Sequence, residues 1–433
     1  MRTRITTVVG LAALAATMVA CASEDDSDEA AQPDGPITLD YWAWGTSQDG
    51  LVEAWNSAHP DVQVRRTDAG GPSDSSAKLV TSSRADEAPD VALVEYQSLP
   101  AMIVADVAMD ITDHVGDLSD SFNEGVWSQV TFNDQVYGVP QDVGPMALIY
   151  NAARFDELGV DLPTTWEEYA QAAADVRAAD PDAYISTFAP DQFGWFAGLA
   201  RQAGSVWWEV DGETWTVNID DATSREVAEY WQNLADEDLV DTGPILTPEW
   251  NAELNDGNVL AWPAALWAPG VIHGVAPDQA GDWRLAPLPQ WEDGNPNVAF
   301  QGGSAVVVTT SAEYPEQAAE FAAWINSSQE GAEVQIETGQ YPASLLGQEA
   351  TLQSDPPELM QGQDEYWEIA AEIASSTVDE ISWGPNVNVA DSAFQDAFNS
   401  AVTDGTPLVD ALAETQQVVV DDMRETGFSL SNE

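Results

Sequence analysis

The segment Asp90-Val91-Ala92-Leu93-Val94-Glu95 gives the clearest indication of how this chain folds. Its four consecutive apolar residues lie between an aspartate and a glutamate, which is typical of a short strand buried on both faces. Ser98-Leu99-Pro100 follows almost directly and predicts the start of a helix, because proline is favoured in the first helical turn. A buried strand that leads into a helix is a building unit of α/β proteins.

Strand and helix signals alternate on both sides of this segment. Apolar and polar residues alternate through Ile37–Trp42, which predicts a strand, and Leu51, Val52 and Trp55 then form a helical stripe that ends at His59-Pro60. Further strands are predicted at 62–64, 135–139, 147–150 and 305–308, and further helices start near Thr165, Asp220 or Asp221, Pro315 and Thr406. We therefore predict an α/β fold with mainly parallel sheets, in which ligands bind beyond the carboxyl ends of the strands.

The N-terminus has the layout of an export signal. Arg2 and Arg4 precede an uncharged run over 5–20, which is short for a membrane span of about 20 apolar residues. The only cysteine follows in Met18-Val19-Ala20-Cys21, which resembles a bacterial lipobox. We expect residues 1–20 to be removed as a lipoprotein signal peptide, Cys21 to be lipidated, and the acidic residues 21–36 to form a flexible tether. The alternative is an ordinary signal peptide with a stray cysteine nearby.

The net charge of the chain is extreme. Seventy-five acidic residues face twelve basic ones, a net charge of −63, and loss of Arg2 and Arg4 with the signal leaves ten basic residues and −65. Nucleic acids and anionic lipid surfaces repel such a chain, so we expect no nucleic-acid partner. The composition indicates a surface adapted to a saline exterior, where about 1 M salt shortens the screening length to about 3 Å. With so many acids, close carboxylate pairs are no evidence for catalysis.

No sequence motif indicates catalysis or a cofactor. Gly302-Gly303-Ser304 precedes a predicted strand instead of opening a helix, so it is not a phosphate-binding loop. His59, His114 and His273 are isolated and lack metal-ligand spacing. There is no Gly-x-Ser-x-Gly nucleophile motif and no calcium-binding loop of the Asp-x-Asp-x-Asp-Gly type. We predict no enzyme activity, no metal and no cofactor.

The eighteen tryptophans divide into two groups by their local pattern. One group lies on helical stripes and is expected in the core: Trp55, Trp166, Trp231, Trp324 and Trp367. The other lies near strand ends or beside glycine and proline: Trp42, Trp44, Trp195, Trp262, Trp267 and Trp383. An indole in such a loop can stack on the C–H face of a sugar while carboxylates and amides bind the hydroxyls. Packing between lobes is the alternative for each of them.

Several short motifs occur in a characteristic order along the chain. They are 37–44, 53–64, Ala88-Pro89-Asp90-Val91-Ala92, Val139-Pro140-Gln141-Asp142 with Leu148-Ile149-Tyr150-Asn151, 163–169, Gln301-Gly302-Gly303-Ser304, 321–326 (FAAWIN) and Trp383-Gly384-Pro385. In this order they resemble an extracellular solute-binding protein of a bacterial ABC transporter, from the carbohydrate-binding, maltose-binding-protein-like group. The resemblance spans some 390 residues, from about residue 37 almost to the C-terminus.

The resemblance implies a two-lobed periplasmic-binding-protein-like fold of type II. The first lobe would comprise 37–142 and 298–345, and the second 143–297 and 346–433, with crossing segments between them. The lobes would close like a hinge on a mono- or oligosaccharide and dock on the permease of an importer. The protein would be a monomer, anchored through Cys21 to the extracellular face of the cell membrane.

The resemblance also assigns ligand-binding residues by their position in the motifs. They are Trp44, Thr46, Ser47, Glu95, Tyr96, Gln97, Asp142, Trp195, Trp262, Trp267, Gly303, Ser304 and Trp383. Some family members carry Asp-Lys where this chain has Thr46 and Ser47, so the resemblance does not extend to maltodextrin in particular.

Three other functions remain open at this stage. A polyamine or another cationic solute would suit an aromatic cleft in a chain of this charge, and its affinity would fall steeply with salt. A secreted glycoside hydrolase would place two carboxylates across a cleft and release product from an oligosaccharide. A surface adhesin without a small ligand would be stabilised by no solute.

Overall fold

The computed structural model describes residues 35–291, 297–298, 300–377 and 383–431. The predicted signal peptide, Cys21 and all but the last two residues of the predicted tether lie outside the described residues. No helix in the described ranges is long and apolar enough to span a membrane.

The strands, numbered in chain order, are β1 (Ile37–Trp42), β2 (Val62–Thr67), β3 (Val91–Glu95), β4 (Thr131–Phe132), β5 (Gln135–Val136), β6 (Val139–Asp142), β7 (Met146–Asn151), β8 (Trp208–Asp211), β9 (Thr214–Val217), β10 (Ala261–Ala265), β11 (Trp283–Pro287), β12 (Ser304–Val308) and β13 (Ser429–Leu430). The helices of the first half are α1 (Gln48–Ala58), α2 (Pro72–Ser83), α3 (Leu99–Val104), α4 (Thr112–Val115), α5 (Glu124–Ser128), α6 (Ala152–Leu158), α7 (Trp166–Ala179), α8 (Phe193–Gln202) and α9 (Ala222–Asp236). Those of the second half are α10 (Pro248–Asn255), α11 (Ala268–Val275), α12 (Pro315–Ser327), α13 (Gln329–Glu337), α14 (Leu345–Thr351), α15 (Tyr366–Ser375), α16 (Val387–Asp404) and α17 (Leu408–Thr426).

The first sheet has five strands in the order β2-β1-β3-β12-β6. β1 is parallel to β2 and β3, whereas β12 is antiparallel to β3 and β6. β12 arrives from about 160 residues further along the chain than β6, so the sheet is completed only after a long excursion. The apolar run after Asp90 forms the central strand β3, whose first four residues are buried.

The second sheet has three strands in the order β10-β7-β11, and both pairs are antiparallel. The expectation of mainly parallel sheets is therefore wrong, because β10 and β11 both run opposite to β7, while β12 enters the first sheet in reverse. Successive residues of β7 point to opposite faces of the sheet. Ala147 and Ile149 join one apolar core, and Met146 and Leu148 join the other. β7 thus lies between two cores and is almost completely buried.

The predicted elements recur with small changes at their ends. The predicted helix starts near Thr165, Asp221 and Pro315 are those of α7, α9 and α12. The predicted strand at 135–139 is wrong, since β5 ends at Val136 and β6 begins at Val139. Gly138 lies at the break, where a Cβ atom would come within 3.2 Å of Ala305 Cβ. The chain therefore crosses close over β12 before it enters the first sheet.

Candidate ligand-binding site

A cavity of about 460 Å³ lies between the edge of the first sheet and helices that pack around the second. We call the residues from the first sheet and its adjoining loops the first wall: Trp44, Thr46, 71–74, Glu95, Gln97, Asp142, Gly302, Gly303 and Ser304. We call the residues from the other side the second wall: 191–195, Leu246, Trp267, Val271, Asp391 and Gln395.

The first wall is built at one edge of the five-stranded sheet. Glu95 ends β3 and Asp142 ends β6, while Ser304 begins the antiparallel strand β12 between them. Ser304 is paired in register with both acids. Because neighbouring strands lie about 5 Å apart, three polar side chains are fixed side by side at the cavity.

Asp142 is the most firmly held acid of the first wall. Its Oδ1 atom accepts hydrogen bonds from the backbone N–H of Ser304 at 3.0 Å and from the Ser304 hydroxyl. Burial raises the pKa of Asp142 to about 6, and the hydrogen bonds from Ser304 oppose that rise. Asp142 also lines the cavity, where its carboxylate can accept a hydrogen bond from a ligand.

Glu95 and Gln97 form a second polar pair. Gln97 Nε2 donates to Glu95 Oε2 at 2.7 Å. The pKa of Glu95 is raised to about 7, chiefly by burial and next by the negative charge of Asp391 across the cavity, while the hydrogen bond from Gln97 opposes the rise. Near neutral pH this carboxyl group can therefore either accept or donate a hydrogen bond.

Two glycines allow the chain to pass between these acids and the second wall. Gly302 and Gly303 have φ values of +68° and +84°, which favour glycine. A Cβ atom on Gly303 would lie 2.9 Å from the ring of Tyr96. A Cβ atom on Gly302 would lie 3.3 Å from Glu95 Oε1 and 3.6 Å from Trp267 Nε1, so the carboxylate and the indole lie close together around it.

The second wall contributes aromatic rings whose polar atoms are already paired. Trp267 immediately precedes α11, and its Nε1–H donates to the carbonyl of Gln301 at 3.0 Å. Trp195 lies on α8, and its Nε1–H donates to the carbonyl of Pro263 at 2.6 Å. Trp195 is buried, whereas Trp267 is partly exposed. Both tryptophans line the cavity, but only Trp267 exposes a sizeable part of its side chain there.

The two walls contact each other beside the cavity. The Ser73 hydroxyl, in the first turn of α2, donates to Asp391 Oδ2 on α16 at 2.9 Å. Gln395 donates to the other oxygen of the same carboxylate. Gln97 packs against Gly194 on α8, where a Cβ atom would lie 3.1 Å from Gln97 Oε1. The cavity is thus bridged on more than one side.

Nine of the residues predicted from the sequence line this cavity: Trp44, Thr46, Glu95, Gln97, Asp142, Trp195, Trp267, Gly303 and Ser304. The structure places the other four outside its lining. Ser47 is fully buried, and its hydroxyl accepts a hydrogen bond from Gln48. Tyr96 packs its ring on Gly303 and donates its hydroxyl to the Asp142 carbonyl, so it supports the first wall from behind.

The other two predicted residues outside the lining are tryptophans. Trp262 is buried in β10, with ring centroids 5.2 Å from Trp250 and 5.5 Å from Trp267, so it belongs to the core behind the second wall. Trp383 packs on the rings of Phe193 and Trp208. With Tyr96 it lines a separate cavity of only about 20 Å³, which is too small for a sugar.

A chain of uncharged amides lies beneath the first wall. The Tyr41 hydroxyl donates to Gln48, Gln48 donates to Gln141 at 2.6 Å, and Gln141 donates to Asn326 at 3.1 Å. Gln335 donates to the same oxygen of Asn326. This buried amide chain ties β1, α1, β6 and the helices α12 and α13 together directly behind Thr46 and Asp142.

Several lining residues were missed by the sequence analysis. Asp191 and Phe193 lie at the start of α8, Asp391 lies on α16, and Leu246 lies just before α10. Burial raises the pKa of both Asp191 and Asp391. The only local signal is the sequence Gly243-Pro244-Ile245-Leu246-Thr247-Pro248, whose two prolines indicate a fixed loop before a helix.

The cavity combines aromatic surface with acidic hydrogen-bond acceptors. The lining contains five acids, Asp74, Glu95, Asp142, Asp191 and Asp391, and no lysine, arginine or histidine among the described residues. No group of three or more potential metal ligands occurs in the part of the chain that the structure describes. Such a lining suits a solute that offers hydroxyl or ammonium donors together with an apolar face.

Two α/β units that hold a solute-sized cavity between them define the class of two-lobed solute-binding proteins. Residues 44–332 match the model of the bacterial extracellular solute-binding protein family. The chain belongs to this family, as the order of its sequence motifs predicts.

Several proteins similar to this chain are sugar-binding proteins. The arabinooligosaccharide-binding protein of Halalkalibacterium halodurans is 26% identical over 313 residues, which cover 69% of each chain. A transporter-associated binding protein of B. animalis subsp. lactis in complex with β-1,6-galactobiose has a TM-score of 0.86 and 28% identity, over 91% of this chain and 99% of that one. A galacto-N-biose/lacto-N-biose I-binding protein of Bifidobacterium longum, in complex with lacto-N-biose, has a TM-score of 0.81 and 28% identity, over 92% and 100%. These likenesses confirm the two-lobed fold.

Proposed function

We propose that this protein is a sugar receptor of an ABC importer, which binds a mono- or oligosaccharide in the cavity between its walls. The observation that carries the proposal is the placement of the Trp267 ring beside the carboxyl group of Glu95, around Gly302. A ring face can stack on sugar C–H groups while an adjacent carboxylate binds hydroxyls. The sugars bound by the similar proteins support the same ligand class.

The dimensions of the cavity favour a short sugar. Its volume of about 460 Å³ lies within the range of about 300–1,000 Å³ that is usual for small-molecule sites. The two similar solved structures hold disaccharide ligands, β-1,6-galactobiose and lacto-N-biose. We propose a ligand of about this size, contacted by the nine predicted residues that line the cavity.

Delivery would depend on closure of two lobes, comprising 37–142 with 298–345 and 143–297 with 346–433. A sugar that contacts both walls stabilises the closed form, and it shifts the balance only by its extra affinity for that form. The hydrogen bond from Ser73 to Asp391 and the contact between Gln97 and Gly194 join the two proposed lobes, and they would stabilise the closed form. The closed form would then dock on the permease.

We further propose that the protein is a non-catalytic, monomeric lipoprotein, held by Cys21 at the extracellular face of the cell membrane. The lipobox-like sequence and the acidic segment after it support this anchor. Replacement Cys21→Ser is expected to release the protein from membranes with unchanged sugar affinity. A variant that stays in the membrane fraction contradicts the anchor.

The ligand class is tested by a thermal-shift screen of mono- and oligosaccharides at about 1 M salt, where repulsion between surface charges is screened. We expect at least one short sugar to raise the melting temperature and to be recovered unchanged after prolonged incubation. Hydrolysis of the sugar indicates an enzyme instead. Failure of every sugar to stabilise the protein contradicts the proposal.

A cationic solute such as a polyamine is a second candidate ligand. The cavity lining favours it, because among the described residues it contains five acids and no lysine, arginine or histidine. The two candidates differ in their response to salt. Affinity for a neutral sugar is expected to change little between about 0.1 M and 1 M salt, whereas affinity for a polyamine falls steeply because its charges are screened. Isothermal titration at both salt concentrations separates them.

A further inference from the structure

Leu246 has a backbone conformation that is unusual for its residue type. Its φ is +61°, in the left-handed region. The other non-glycine residues with positive φ in the described ranges are all aspartate or asparagine: Asp86, Asp106, Asn133, Asp134 and Asp238. Aspartate and asparagine tolerate this region, because their short side chains bond locally, whereas leucine is sterically strained there. Leu246 is therefore the exception that needs an explanation.

The neighbours of Leu246 explain how the conformation is imposed. Ile245 is buried in the core. Thr247 caps α10, since its hydroxyl accepts from the backbone N–H of Trp250 at 3.2 Å, and it is extended, as expected for a residue before Pro248. Because both neighbours are fixed, the chain can turn between them only if Leu246 adopts a positive φ. Glycine or asparagine would fit this position with less strain.

The side chain of Leu246 is not held by the core. It is 49% exposed, yet it lines the cavity on the second wall. Neither its backbone conformation nor its packing against other residues therefore favours leucine here. Strain that is kept at the edge of a ligand cavity indicates a functional requirement.

We propose that Leu246 is a specificity-determining residue, which packs on the apolar C–H surface of the bound sugar and covers the mouth of the cavity. This inference rests on the proposed function. Contact with a sugar would bury the exposed apolar surface of Leu246, and this burial favours sugars with a continuous C–H face at that end of the cavity.

Two substitutions separate the contact from the strain. Leu246→Ala removes the side chain, and Leu246→Asn also relieves the strain, because asparagine tolerates positive φ. Both are expected to weaken sugar binding by about 3- to 20-fold, the loss of a half-exposed leucine contact. The melting temperature of the sugar-free Leu246→Asn variant is expected to equal or exceed that of the parent. Leu352→Ala is the matched control, since Leu352 is 46% exposed and does not line the cavity.

The measurements are isothermal titration with the sugar identified by the screen and thermal unfolding without sugar. If the parent binds a sugar and both Leu246 variants bind it within twofold of the parent, the inference is wrong and the proposed function stands. If the sugar-free Leu246→Asn variant melts several degrees below the parent, Leu246 has a structural role and the inference is also wrong. A parent that binds no sugar contradicts the proposed function and the inference together.

Discussion

The two walls of the cavity are built in different ways. The first wall comes from neighbouring strand ends of one sheet, where backbone pairing fixes Glu95, Ser304 and Asp142 side by side. The second wall comes from α8, α11, α16 and the loop before α10, which are far apart in the chain. The first wall therefore presents a fixed row of polar groups, whereas the second presents aromatic rings, Leu246 and the carboxylates of Asp191 and Asp391, whose positions depend on helix packing.

The hydrogen bonds of the walls reinforce this difference. The carboxyl groups of Glu95 and Asp142 accept bonds from neighbours in their own wall and keep capacity for a ligand. The Nε1–H groups of Trp195 and Trp267 are already bound to backbone carbonyls. We infer that the first wall selects the hydroxyl pattern of a sugar and the second wall supplies most of the apolar contact.

The largest expected effect concerns two neighbouring tryptophans, one in the core behind the second wall and one in the second wall itself. Trp262→Ala leaves a cavity in the core and is expected to lower the free energy of unfolding by about 3–5 kcal/mol. Trp267→Ala, at the neighbouring ring, is expected instead to weaken sugar binding by about 1–3 kcal/mol with a smaller loss of stability. Urea unfolding and isothermal titration on both variants measure the two effects. The assignment of Trp267 to the wall is wrong if its replacement destabilises the fold and leaves affinity unchanged.

The next effect concerns the charge of the first wall. The pKa of Glu95 is raised from 4.5 to about 7 on folding, so the folded protein binds this proton more readily than the unfolded chain. Its contribution to stability is present in full below pH 4.5 and is lost as the pH rises through about 7. Glutamine does not titrate, so Glu95→Gln does not lose stability in this way. The free energy of unfolding of the variant, relative to that of the parent, is therefore expected to rise by on the order of 2–3 kcal/mol between pH 4 and pH 8.

Urea unfolding of the sugar-free protein at pH 4, 6 and 8 checks this expectation. Asp391→Asn is the matched variant on the second wall, where burial also raises the pKa. The stability of Asp391→Asn relative to the parent is also expected to rise with pH, but by less than that of Glu95→Gln. The rise is smaller because Ser73 and Gln395 both donate hydrogen bonds to the Asp391 carboxylate. A difference between Glu95→Gln and the parent that does not change with pH contradicts the prediction.

The smallest effect tests the contact between the walls. Ser73→Ala removes the hydroxyl that donates to Asp391 across the cavity and is expected to destabilise the closed form by about 0.5–1.5 kcal/mol. Sugar affinity then falls by about 2- to 10-fold, and small-angle scattering shows a larger radius of gyration without sugar. Ser375→Ala, which removes an exposed hydroxyl bonded to the Glu372 carbonyl within α15, serves as the control. Equal affinities and radii for the two variants argue against a role in closure.

Much of the fold and of the first wall was predictable from the sequence. The apolar run of β3 fixes a central strand, and residues after strand ends meet at one edge of a sheet. This rule agrees with the cavity positions of Glu95, Gln97 and Asp142, which the family resemblance assigned by their place in the motifs. It fails for Tyr96, because adjacent residues point in different directions and the side chain between Glu95 and Gln97 turns behind the wall. Successive side chains of a loop point in different directions, and a sequence motif does not show which of them faces the cavity.

The second wall was less predictable for a physical reason. Trp262 and Trp267 both lie near a strand end, and only the packing of β10 against its neighbours decides that one is core and the other is wall. Asp391 bonds to a residue 318 positions earlier, and no local pattern on α16 indicates it. The direction of β12 was likewise hidden, since strand signals do not reveal which way a returning strand enters a sheet.

The buried amide chain from Tyr41 to Asn326 has a consequence for where this protein can work. Its side chains carry no net charge, so protons do not titrate them near neutral pH and dissolved ions have little charge to screen. The surface, with its large excess of carboxylates, responds strongly to both. Changes of salinity or acidity outside the cell would therefore alter the interactions of the surface carboxylates, while the buried amide chain beneath the first wall keeps its structure.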